Sequence, residues 1–120
     1  MYKISKQFAF SASHILEGLP GDHPCGRMHG HNYIVTVHLK SHELNSVGFV
    51  KDYRELAAIK QFIDDKLDHR HLNDVFDINP TAENLACTLY NIFVEWIPQI
   101  YAIEVSETAK TTAIYEVDGK

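Results

Sequence analysis

The 120-residue sequence predicts an α+β fold: strand, strand, helix, helix, strand, strand, with a four-stranded antiparallel sheet and both helices on one of its faces. Three observations carry this expectation. Apolar residues alternate at period two near both ends of the chain. Between those ends they recur at helical spacing. Glycine, proline and asparagine punctuate the junctions. The length suits a single domain, residues 1–120, and an apolar fraction of 45% is enough for one core.

From Tyr2 to His14 the residues Phe8, Phe10, Ala12 and His14 share one parity, which predicts a strand whose inward face ends on a histidine. Residues 15–27 hold Gly18, Pro20, Gly21, Pro24 and Gly26, a long loop of the kind that often carries function. Alternation returns from His31 to Leu39 through Tyr33, Val35 and Val37, giving a second strand antiparallel to the first. "VGFV" at 47–50 extends it or pairs beside it. Leu56, Ile59, Ile63 and Leu67 then mark a helix over 52–67, with Asp52 as its N-cap. "DHRHLND" breaks that pattern. "NPTAEN" starts a second helix, capped by Asn79 or Thr81. Its apolar face is Leu85, Leu89, Ile92, Phe93 and Trp96, and Pro98 ends it. Tyr101, Ile103, Val105 and Glu107 share parity in a third strand, and "TTAIYEV" is the fourth.

Composition narrows the function. The net charge is −5 and no basic block is present, which argues against direct nucleic-acid binding. No apolar run reaches the length of a membrane span. The first ten residues read as a strand and not as a signal peptide. The two cysteines, Cys25 and Cys87, do not suggest a disulfide framework, so a reducing cytoplasm is the expected setting. Cys87, within a helical pattern, reads as a small core residue.

"CGRMHGH" at 25–31 is the densest chemistry. His29 and His31 are two apart, which in extended chain aims both side chains the same way. An antiparallel neighbour ending on His14 could bring a third imidazole to them. Three histidines are a common protein ligand set for zinc, leaving one position open. His23, His38 and His42 lack such company and read as solvent-facing or locally bonded. Cys25 could be a fourth ligand closing a structural site, or a base beside an open one. "LDHRHLND" could equally be a solvated helix end. Glu107 falls on an apolar face, where a carboxylate is costly unless paired. Arg27 and Lys51 could meet a polyanion or be ordinary surface charge.

Taken in order, "SASH", "CGRMHGHNY", "LDHRHLND", "NPTAEN" and "VSETA" resemble the 6-pyruvoyltetrahydropterin synthase family along essentially the whole chain. The resemblance implies the tunnelling fold, with barrels of three subunits stacked into homohexamers and sites at subunit interfaces. It implies that His14, His29 and His31 bind Zn2+. It implies that Cys25 is the catalytic proton acceptor, in a relay with Asp68 and His69. Glu107 would anchor the pterin ring through its paired N–H donors and join the relay. Thr108, Thr81, Glu83 and Arg27 are weaker candidates for substrate contact, and helix capping is the competing role of the two in "NPTAEN".

The Cys-x-x-x-His-Gly-His interval is similar to the bacterial 6-carboxytetrahydropterin synthase branch, which serves queuosine biosynthesis, a tRNA modification pathway. The implied reaction takes 7,8-dihydroneopterin triphosphate to 6-carboxy-5,6,7,8-tetrahydropterin, acetaldehyde and triphosphate. Zinc would act as a Lewis acid on the substrate's side-chain oxygens. Two alternatives remain: a 6-pyruvoyltetrahydropterin synthase, which stops before side-chain cleavage, and a non-catalytic zinc-stabilised binding module with Cys25 as fourth ligand.

Overall fold

The computed structural model describes residues 1–119; residue 120 of the expected domain lies outside them. Strands β1 (Tyr2–His14) and β2 (His29–Ser41) pair antiparallel along their full length, from Tyr2 opposite Ser41 to His14 opposite His29. Strands β4 (Ile100–Thr108) and β5 (Thr111–Glu116) continue the sheet beyond β2.

The sheet has five strands and not the expected four, in the order β3-β1-β2-β4-β5. The extra strand, β3, is Arg70–His71, and it runs parallel to β1 at Ala12 and Ser13. Two residues are too few to leave a periodic trace in a sequence. What docks them is local: His69 adopts a positive φ of 60° and donates its N–H to the Ser11 carbonyl at 2.6 Å. "VGFV" forms no strand. Asn45 Oδ1 accepts from the N–H groups of Val47, Gly48 and Phe49, which makes a turn there, with Gly48 at φ 102°.

The expected 52–67 helix is three pieces. Asp52 caps it, accepting from Arg54 N–H at 2.9 Å. A 3-10 turn (Tyr53–Leu56) leads into α1 (Ala57–Phe62) and then a wide π turn (Ile63–Leu67). Successive spacings of four between Ile59, Ile63 and Leu67 overshoot a 3.6-residue turn. The wide turn absorbs the excess and keeps all three side chains buried. A short helix α2 (Leu72–Val75) follows β3.

Helix α3 (Ala82–Phe93) is capped by Thr81, whose hydroxyl accepts from Asn84 N–H at 3.1 Å; Asn79 is not the cap. Leu85, Leu89 and Phe93 are buried as expected, and Ile92 is partly buried. The helix ends at Phe93, before Pro98, so Trp96 is 46% exposed, packed beside the rings of Phe62 and Phe93. Cys87 is a second correction: it is half-buried, its thiol beside Tyr115 and within 3.7 Å of Asn91 Nδ2, and it is not part of the core.

One apolar core joins the helices to one sheet face, through Phe8, Phe10, Tyr33, Val35, Val37, Leu39, Ile103 and Val105. Tyr101 is missing from that face. A register shift after His38 leaves it between the paired residues Ile100 and Ala102, and its ring packs under the ammonium groups of Lys3 and Lys40, at 5.3 and 4.7 Å. Parity resumes at Ile103 and Val105; β4 is irregular again between Val105 and Thr108, and Glu107 there faces His14 and His31, on the side that the sequence predicts.

Candidate metal centre

The β1–β2 register builds the site. His14 and His29 are cross-strand partners, and His31 stands opposite Ala12. Ligand nitrogens of His14, His29 and His31 all lie within 4.8 Å of one another. Two of the rings are held from behind. His14 Nδ1 is 2.8 Å from the Pro80 carbonyl, and His29 Nδ1 is 2.7 Å from the Arg27 carbonyl. A carbonyl only accepts, so each bond puts the ring proton on Nδ1 and leaves a lone pair on Nε2. This is the usual support of a metal-bound imidazole.

The two Nε2 atoms are 2.9 Å apart. With both protons on Nδ1, two lone pairs face each other, an arrangement that positive charge between them stabilises. His31 Nε2 is buried and has no hydrogen-bond partner. Glu107 Oε2 lies 3.2 Å from it and 3.3 Å from His14 Nε2, close enough for electrostatic attraction. Three convergent imidazole nitrogens beside one carboxylate fit a borderline divalent cation. The three histidines can hold a metal.

His14 is completely buried. Burial pushes its pKa down, and neighbouring His29 and His31 add to this against the Pro80 carbonyl and Glu107. The ring is therefore neutral, the ligating form, at neutral pH. Since its folded pKa lies below its unfolded value, its contribution to stability is present above about pH 6.5 and is lost as pH falls below that. Thermal melts of the metal-free chain are expected to be level from pH 8 to 7 and to drop below about pH 6.5. A midpoint unchanged down to pH 5 would contradict a neutral buried His14.

The sequence marks Tyr33 only as a strand residue. Its ring stacks on Phe10 at 4.9 Å, and its hydroxyl is 3.2 Å from His14 Nδ1. Burial, with Glu107's charge, raises its pKa well above the usual phenol range, so it remains a hydroxyl. Neither this contact nor the Pro80 and Arg27 carbonyls follows from periodicity. The proline of "NPTAEN" was the available signal.

Cys25 sits half-buried in a one-turn 3-10 segment, Pro24–Gly26, its N–H donating to His23 Nδ1 at 3.1 Å. It is not among the side chains whose ligand atoms converge. Asp68 accepts from Ser11 N–H at 2.9 Å through Oδ1, and its Oδ2 meets His69 Nδ1 at 2.9 Å. The Ser11 bond first, and then His69, hold the Asp68 carboxyl below the usual range, so it is ionised and orients the ring. The His69 ring itself is 82% exposed. It opens on a cavity of about 600 Å3 that it shares with His31, Ser11, Ser13, Asn32 and Arg70. Asp68 and His69 thus come together beside His31, but none of the described hydrogen bonds joins His69 to Cys25.

The weaker candidates divide. Thr81 spends its hydroxyl on the α3 cap, as the competing role required. Thr108 Oγ1 accepts from Lys110 N–H at 3.2 Å and meets Thr111 Oγ1 in the β4–β5 turn. Glu83 lines a cavity of about 260 Å3 with Glu107, Thr111 and Thr112. Arg27 is exposed and engages His29 through its carbonyl. Lys51 pairs with Glu55 at 3.2 Å. Of the remaining histidines, His23 is locally bonded and His42 exposed, as expected. His38 is half-buried against Glu104 of the next strand, and His71 Nδ1 lies 2.9 Å from Ser13 Oγ.

Residues 3–118 match the family model described as 6-pyruvoyl tetrahydropterin synthase. A provisionally named 6-carboxy-5,6,7,8-tetrahydropterin synthase of Archaeoglobus fulgidus is 33% identical over 99 residues, covering 82% of each chain. The 6-carboxy-5,6,7,8-tetrahydropterin synthase of Bacillus subtilis is 26% identical over 127 aligned positions, covering 95% of this chain and 84% of that one. The solved structure of Caenorhabditis elegans 6-pyruvoyl tetrahydropterin synthase superposes with a TM-score of 0.85 at 25% identity, over 98% of this chain and 96% of that chain.

Proposed function

From the chain's membership of the 6-pyruvoyl tetrahydropterin synthase family, we propose that it is a zinc-dependent lyase. In this reading it converts 7,8-dihydroneopterin triphosphate and one water to 6-carboxy-5,6,7,8-tetrahydropterin, acetaldehyde and triphosphate, in queuosine biosynthesis. The observation that carries this is the convergence of three imidazole nitrogens, two of the rings fixed through Nδ1 by backbone carbonyls, beside an inward carboxylate.

His14, His29 and His31 hold the zinc, which supplies Lewis acidity toward substrate oxygens when bound. Cys25 accepts a proton from the substrate side chain. It does so as the thiolate, which forms when its S–H proton passes to His69; His69, oriented by ionised Asp68, releases that proton to solvent. Glu107 accepts the two N–H groups of the pterin edge as a pair. Arg27 and Glu83 border the substrate's path, with Thr81 and Thr108 supporting it through the cap and turn they hold. The protein works in the cytoplasm as a homohexamer. Among the described residues, the outer edge of β1 along residues 2–10 has no strand partner, and β5 is the other open edge. Pairing these between copies closes a barrel and protects both. It also gives the exposed His69 a neighbouring subunit to serve.

Mass spectrometry of the products from the triphosphate substrate tests the reaction. The 6-carboxy product with acetaldehyde is expected; a retained three-carbon side chain would instead identify a 6-pyruvoyl synthase. The ring anchor has its own test. Glu107→Gln keeps shape but replaces an acceptor with a donor, leaving buried groups unsatisfied, so affinity for a non-reactive pterin should fall about ten-fold or more. Its zinc content should stay at that of the parent. Unchanged pterin affinity would move the anchor elsewhere, and lost zinc would make Glu107 a ligand.

A further inference from the structure

Two side chains in the motifs at 67–74 and 79–84 have no part in the chemistry above. Asn73 accepts from Ile15 N–H at 2.9 Å and donates to the Ile15 carbonyl at 2.9 Å. Asn79 treats Glu17 in the same way, at 2.9 and 3.1 Å. Ile15 and Glu17 are alternate residues directly beyond β1, so in extended chain their main-chain groups face one side. An asparagine amide carries one acceptor and a pair of donors, so each stands in for a residue of an absent neighbouring strand. Leu16, between them, donates its N–H to the Cys25 carbonyl at 3.0 Å. Residues 15–17 are therefore gripped by two amides on one side and joined to Cys25 on the other.

We infer that Asn73 and Asn79 are positioning residues for Cys25, fixing the cysteine against the histidine cluster. His14 immediately precedes the gripped segment, and Cys25 is bonded to its middle. The other hydrogen bonds described for residues 18–26 are local: His23 to Pro20, Gly26 to His23, Arg27 to Pro24, and Cys25 N–H to His23. With Gly18, Gly21 and Gly26 in it, this stretch has little else to fix where the thiol stands. The inference rests on the reading of Cys25 as the reactive thiol, but its test does not need turnover.

The experiment uses the zinc-loaded chain in a Cys87→Ser background, so that iodoacetamide reports on Cys25 alone. Asn73→Asp and Asn79→Asp each keep the acceptor for the N–H but set an oxygen against the carbonyl. The expected result is alkylation of Cys25 about ten-fold faster in either variant, from loss of one hydrogen bond and local opening. Zinc stays at the parent level, and kcat falls by a similar factor while KM holds. Asn73→Ser and Asn79→Ser, which add no charge, take the same measurements if the aspartates do not fold. Alkylation at the parent rate in both positions would overturn the inference. So would loss of zinc in step with the faster alkylation, because the amides would then be serving His14. If the parent does not process the triphosphate, the alkylation arm alone decides.

Discussion

Cys25→Ala is expected to keep its metal and its fold and to lose turnover by roughly a hundred- to ten-thousand-fold, the range of a missing proton-transfer group. The structure makes this a clean substitution. The bonds that hold residue 25, from its N–H to His23 Nδ1 and from Leu16 N–H to its carbonyl, both use residue 25's main-chain atoms and survive truncation of the thiol. The side chain is half-buried, so the stability cost is small. The metal should remain because the converging nitrogens come from histidines alone. Metal analysis, a thermal melt and a rate measurement on one preparation check all three parts. A variant that sheds its metal would make Cys25 a fourth ligand and favour a closed structural site. A variant with the parental rate would remove Cys25 from proton transfer.

The second large effect is on the metal. His29→Ala should weaken zinc binding by more than about a hundred-fold, the upper range for losing only a supporting partner of a ligand. Two protein nitrogens remain, too few for tight binding. The same substitution removes one of two Nε2 lone pairs held 2.9 Å apart. The metal-free variant should therefore melt no lower than the metal-free parent by more than a few degrees, while the stabilisation that added zinc gives the parent disappears. Equal zinc content in variant and parent would take His29 out of the site.

Period-two alternation is a long-range signal, and it made most of this site legible. Two thirteen-residue strands set the parity of His14, His29 and His31, and antiparallel pairing did the rest. Glu107 faces the histidines although Tyr101 leaves the core face and β4 is irregular again between Val105 and Thr108, so its contacts and not strict alternation fix its side. What the sequence concealed is not periodic. Strand β3 is two residues long and rests on the backbone of His69. The wide turn at 63–67 shows only as a spacing of four repeated once too often. The asparagine grips reach across 58 and 62 positions from side chain to backbone, a kind of contact that hydrophobic pattern does not encode. Trp96 followed the helical pattern on paper, but the helix had already ended at Phe93.

Under the proposed function the histidines hold the metal while Cys25 stands free of it to move protons. Cobalt in place of zinc reads this directly. Absorption spectra of the cobalt-loaded chain are predicted to show visible d–d bands from nitrogen and oxygen ligands and no near-ultraviolet sulfur-to-cobalt charge-transfer band, with Cys25→Ala giving the same spectrum. A strong charge-transfer band in the parent that vanishes in Cys25→Ala would put the thiolate on the metal and contradict the account.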